Sequence, residues 1–184
     1  MKPVISTYAK IVVCLLWCGA LAACDGNTKL MKAAVSDDPA AVQSALDKGA
    51  KVDQRNNYGW TALEHAARKD KTANMKVLLD AGADINLQDN SGWTALERAV
   101  SKGNLAATKL LLSRGADPNI VDSNGWSALM WAVDRQYKDI VRELIAKGAD
   151  VKIKAKDGRT AISIARSEGY ADIANMLKQA GADD

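Results

Sequence analysis

Apolar residues in this chain fall into columns spaced 33 positions apart. Leu30, Leu63, Leu96, Leu129 and Ile162 make one column, and Ala33, Ala66, Ala99, Ala132 and Ala165 a second. A third holds Leu78, Leu111, Leu144 and Leu177, with Ala45 at its start. Glycines keep the same interval. Gly59-Trp60, Gly92-Trp93, Gly125-Trp126 and Gly158-Arg159 form one set, and Gly49, Gly82, Gly115, Gly148 and Gly181, each followed by Ala, form another. A period of this size marks stacked units, none of which can bury its apolar face alone.

Within one period the punctuation predicts two short helices. Asp89-Asn90-Ser91-Gly92 is a turn signal, and Thr94 reads as the N-cap of a helix over 95–101 with Leu96 and Ala99 on one face. Lys102-Gly103-Asn104 breaks it, and a second helix over 105–114 turns Leu111 and Leu112 inward and stops at Gly115. Residues 117–121 read as extended. Thr61 with Glu64 and Thr94 with Glu97 have capping-box spacing, whereas Ser127 and Thr160 face Met130 and Ser163 three positions on, which lack that partner. Asn74 and Thr108 fall in otherwise apolar columns, predicting looser packing in the second and third units. The ends look adapted to water: Lys29, Lys32, Asp37 and Asp38-Pro39 in the first unit, and Lys178 in the last where inner units carry Leu79, Leu112 and Ile145.

These columns resemble the ankyrin repeat family. Its Thr-Pro-Leu-His segment has altered counterparts in Thr61-Ala62-Leu63-Glu64, Thr94-Ala95-Leu96-Glu97, Ser127-Ala128-Leu129-Met130 and Thr160-Ala161-Ile162-Ser163. The resemblance implies an all-α solenoid of stacked helix-turn-helix units with β-turn fingers. It spans five units, approximately 26–55, 56–88, 89–121, 122–154 and 155–184.

The first 23 residues are of another kind. Lys2 and Lys10 carry the only charges there, and residues 11–23 are an unbroken apolar or small-residue run of 13. That is too short for a helix spanning a bilayer, which needs about 20 residues, and the layout is that of a secretory signal. The run ends Leu21-Ala22-Ala23-Cys24, similar to a bacterial lipobox, in which cleavage precedes Cys and the Cys is acylated. The expected organisation is a lipoprotein signal peptide over 1–23 and a repeat domain over 24–184, anchored through Cys24 on the periplasmic side of a bacterial membrane. Asp25 points to the inner membrane, with the outer membrane as the alternative. Cleavage removes two lysines and no acid, taking the formal charge from +3 to +1. That leaves nothing to suit nucleic acid, and the one remaining Cys is the lipidated one.

Candidate chemistry is sparse. His65 is the only histidine, so a Cys/His or Ser/His catalytic pairing has no parts. The glycines mark turns rather than a phosphate loop, and no spacing suits a metal or a cofactor. The chain therefore reads as a binding protein and not an enzyme.

By the family resemblance, partner-binding positions lie on the turn tips and first helices: Tyr58, Trp60, Trp93, Trp126 and Arg159, joined by Arg68, Lys69, Lys102 and Arg135. The column Trp60, Trp93, Trp126 is the sharpest hint. Stacked helices lie about 8–10 Å apart, beyond the roughly 4.5–7 Å of an aromatic pair, so a ladder of partly exposed indoles is expected. Trp is enriched at binding hot spots; the alternative is that each ring covers its own turn. Trp131, one step past Met130 and in the place of His65 and Arg98, reads as a packing residue. The cations suit an acidic partner, or form a solvated face with Asp134 and Glu168. The expected function is a monomeric, membrane-anchored module that binds another protein, as an immunity protein inhibiting a periplasmic toxin or as a scaffold or protective partner of an envelope stress-defence enzyme.

Overall fold

The computed structural model describes residues 25–183. They form five helix pairs in register with the 33-residue period: α1 (Lys29–Ala34) with α2 (Pro39–Asp47), α3 (Ala62–Arg68) with α4 (Thr72–Asp80), α5 (Ala95–Val100) with α6 (Leu105–Ser113), α7 (Ala128–Asp134) with α8 (Lys138–Ala146), and α9 (Ala161–Ser167) with α10 (Ala171–Gln179). The first helices pack on one another in one layer and the second helices in another, so each unit touches its neighbours. The apolar columns lie between the layers. Leu63, Leu96, Leu129 and Ile162 are buried, as are Leu78, Leu111, Leu144 and Leu177. In the first unit Ala33 and Ala45 are only half-buried, since among the described residues no unit packs on that side.

The first helix of each pair starts at a side-chain cap, whereas α4, α6, α8 and α10 start without one. Thr61 and Thr94 make the expected reciprocal bonds with Glu64 and Glu97. The fifth unit, expected to lack such a box, builds one with a shorter side chain: Thr160 N–H donates to Ser163 Oγ at 2.9 Å, and Ser163 N–H to Thr160 Oγ1 at 3.2 Å. In the fourth unit Ser127 caps alone, accepting from Met130 N–H at 3.4 Å.

Two further expectations are corrected. Asn74 and Thr108 are buried at 1% and 0% exposure, yet both are satisfied. Asn74 Nδ2 reaches the carbonyls of Ala34 at 3.0 Å and Ser36 at 2.7 Å, sealing the end of α1, and Thr108 Oγ1 donates to Asn104 O at 2.9 Å. Asn74 is tolerated because a helix C-terminus offers carbonyls otherwise left orphaned, and Thr108 because its hydroxyl bonds the carbonyl four residues back, at the N-cap of its own helix. Residues 117–121 are not simply extended, since Pro118 and Asn119 form a turn. Asn119 Oδ1 there accepts Asp150 N–H at 2.7 Å, tying the unit to the next.

Between the helix pairs the chain makes four fingers. Each closes on itself: Asn56 N–H to Trp60 O at 3.0 Å, Asp89 to Trp93 at 2.8 Å, Asp122 to Trp126 at 2.9 Å and Ala155 to Arg159 at 2.8 Å. Each of the last three fingers also hangs on the one before it: Asn90 N–H bonds Tyr58 O at 3.1 Å, Ser123 bonds Ser91 O at 3.0 Å, and Lys156 bonds Asn124 O at 2.9 Å. Among the described residues the only strand-type pairing is a single bridge, Val121 to Ser127.

Candidate partner-binding face

The first three fingers are each held by one side chain. Asn56 Oδ1 accepts the N–H groups of Tyr58 and Trp60, both at 2.9 Å. Asp89 does the same for Ser91 and Trp93 at 2.7 and 3.1 Å, and Asp122 for Asn124 and Trp126 at 2.7 and 3.0 Å. This Asx geometry lets a short polar side chain stand in for backbone.

The second polar atom of that residue faces the side chain nine positions on, at the centre of the following first helix. In the second unit Asn56 Nδ2 lies 3.5 Å from His65 Nε2. In the third, Asp89 Oδ2 pairs with Arg98. In the fourth the equivalent residues are Asp122 and Trp131, and Asp122 Oδ2 and Trp131 Nε1 are both buried without a hydrogen-bond partner among the described residues. In the fifth both positions are apolar, Ala155 and Ile164, and both are buried. The chemistry of the two positions thus changes together from unit to unit.

The same residues fill the gaps between indoles. The Arg98 guanidinium carbon lies 3.8 Å from the Trp60 ring centre and 4.6 Å from that of Trp93. The Trp131 ring lies 4.9 Å from Trp93 and 4.7 Å from Trp126. His65 lies 5.0 Å from Trp60 at the near end, and Arg159 closes the far end 4.7 Å above Trp126. The expected ladder of spaced, partly exposed indoles is therefore a continuous stack. Trp60 and Trp93 are half-buried, and Trp126, clamped between Trp131 and Arg159, is only 8% exposed. Trp131 packs, as its place in the sequence predicts.

The remaining candidate residues divide. Tyr58 projects from its finger at 61% exposure. Lys69 and Lys102 are exposed at the ends of the first helices, and neither is in an ion pair among the described residues. Arg68 leans over Trp60 at 5.6 Å. Arg135 lies 3.6 Å from Asp134, and Arg159 is paired with Asp157 at 2.7 Å. Cys24 lies outside the described residues.

Beneath this face lie two buried acids. Glu64 and Glu97 accept from the Thr61 and Thr94 N–H groups at 2.5 and 2.9 Å, while the Oε1 of each is buried without a hydrogen-bond partner among the described residues. Burial pushes both carboxyls up to about 7, opposed by the capping bonds; Asp89 adds to the rise at Glu64 and Asp122 at Glu97. Burial holds His65 below its ordinary value, partly offset by Asp25.

Sequence reasoning found the indole column and missed what stands between its rings. The signal was available as the nine-residue pairing of Asn56 with His65 and Asp89 with Arg98. Among the described residues no cluster of His, Cys, Asp and Glu is arranged to hold a metal ion, and no helix is long and apolar enough to cross a membrane. The model of the ankyrin repeat family (3 copies) matches the chain in three overlapping spans, 4–89, 30–122 and 96–184. No curated protein matches it.

Proposed function

This chain belongs to the ankyrin repeat family, whose members generally mediate protein–protein interaction, and we propose that it acts as a membrane-anchored inhibitor of another protein. In this reading the signal over 1–23 is cut, Cys24 carries the lipid, and the array works on the periplasmic side of a bacterial membrane. The partner is a toxin delivered there.

The observation that carries the binding reading is the pairing of a pre-formed stack with unengaged groups beside it. The indoles, Arg98 and the fingers hold one another in place, so little conformational entropy is lost on binding. Next to them Lys69 and Lys102 are exposed, which suits an acidic partner. Tight binding by a rigid surface fits inhibition better than a looser scaffold.

The test is a pull-down from detergent-solubilised envelope, with and without the candidate toxin supplied, comparing the wild type with Lys69→Glu/Lys102→Glu. These exposed positions leave the stack intact, so both proteins should melt alike. Retention of the toxin by the wild type and its loss from the charge-reversed variant supports the reading. Equal retention moves the site to another face. Retention of a resident envelope enzyme instead turns the reading to a protective scaffold.

A further inference from the structure

The chain enters the array through a short, closely bonded tie. Asp25 O accepts the Asn57 N–H at 3.1 Å, the same bond by which each later finger hangs on its predecessor. Asn27 Oδ1 accepts from Asn56 Nδ2 at 2.6 Å and lies 3.1 Å from His65 Nε2. Gly26 lies flat against the finger, where an added Cβ would meet Asn57 Oδ1 at 2.8 Å. Residues 25–27 thus act as an extra rung in front of the first finger, and there is no slack between them and the fold.

Beside this tie stands Tyr58, at 61% the most exposed large apolar side chain among the described residues. The other described tyrosines, Tyr137 and Tyr170, are half-buried; Tyr58 stands on the finger bonded to the entering chain. Lys29 and Arg55, both exposed, lie within four residues of Asp25 and Tyr58 along the chain.

From this juxtaposition we infer a membrane-facing surface. It rests on the lipid reading of Cys24. Cys24 directly precedes Asp25 in the sequence, so an acyl group there draws the first finger onto the bilayer with no linker between. Tyr58 then sits among the headgroups, where an aromatic ring with a polar tip is favoured. Lys29 and Arg55 meet anionic headgroups. The occupant of this patch is the lipid surface, and the array stands with its first unit at the membrane and its fifth away from it. The indole stack begins near the bilayer at His65 and Trp60 and runs outward to Arg159, so a partner docks along an axis leading away from the membrane.

The experiment uses the full chain, processed in cells and reconstituted in vesicles of phosphatidylethanolamine and phosphatidylglycerol. Intact mass first reports acylation. Single thiols introduced by Tyr58→Cys and, at the opposite end, Asn175→Cys carry an environment-sensitive fluorophore, and lipids spin-labelled at the headgroup quench it. Matching melting curves establish folding of both variants. The expected result is quenching several-fold stronger at position 58 than at position 175. Equal quenching at both, or none at position 58 in acylated protein, overturns the orientation while leaving the lipid reading standing. A mass without acyl chains overturns the lipid reading itself, and the membrane-facing surface with it.

Discussion

At the scale of single residues, the hub of the molecule is Arg98. Its guanidinium lies between two indoles and pairs with Asp89, whose side chain is fully buried. Removing one partner of a buried pair leaves an uncompensated charge, a loss of about 3–5 kcal/mol. Arg98→Ala should therefore lower stability by about that much in urea denaturation. The second unit shows what else the site accepts. Asp89→Asn/Arg98→His transplants the Asn56–His65 pair and should recover most of the loss, whereas Asp89→Asn alone should not. A double variant no better than Arg98→Ala overturns the idea that the two positions form a unit.

Glu97 carries a second residue-scale prediction. Its folded carboxyl titrates at about 7, against an ordinary value of 4.5. Between those values the folded state binds the proton more tightly than the unfolded chain does. The contribution of Glu97 to stability therefore falls as pH rises from 4.5 to about 7 and is flat above. Glu97→Gln keeps a capping acceptor and removes the titration. Its stability relative to wild type should rise by roughly 3 kcal/mol between about pH 5 and pH 8. His65, whose depressed value works in the opposite direction, is common to both proteins and cancels. A pH-independent difference between the two would show that Glu97 ionises normally.

At the scale of elements, the finger glycines have two distinct roles. Gly92 sits at φ +78°, and an added Cβ would meet the Ser123 backbone nitrogen at 2.8 Å. Gly158 has a similar φ of +83°, but among the described residues no finger packs on it and a Cβ meets nothing within 4 Å. Gly158→Ala should cost only the left-handed strain, about 1–2 kcal/mol. Gly92→Ala should cost at least about 2 kcal/mol more, because its clash is with backbone that cannot turn away. Thermal melts of the two variants compare them directly, and equal losses would mean that finger stacking adds nothing.

Across the molecule as a whole, neighbouring units are also joined by exposed ion pairs. Lys71 meets Asp37, Arg114 meets Asp80 at 2.6 Å, Lys138 meets Asp172 at 2.5 Å and Lys152 meets Asp183 at 3.0 Å. These stand in water and are screened, so each is worth about 0–1 kcal/mol. The array is held instead by the apolar columns and the finger ladder. Raising salt from about 0.1 to 1 M should then move Tm by less than about 3 °C. A fall much larger than that would show that the surface pairs hold the units together.

The period, the helix pairs, the caps at Thr61 and Thr94, the Gly stops and the inward columns are all legible in the amino-acid order. Each depends on backbone preference or on spacing along one unit. How unlike residues of adjacent units meet is legible only in the assembled array. Spacing shows that Trp60 and Trp93 are equivalent. It does not show that Arg98 enters the gap between them, that Trp131 fills the next, or that Trp126 is thereby buried while Tyr58 stays out. The same holds for Asn74, which reads as a misfit in its column until the open end of α1 is seen beside it. Such contacts are set by the distance between stacked units and by the direction in which each side chain leaves its helix. Neither quantity exists until the units are stacked.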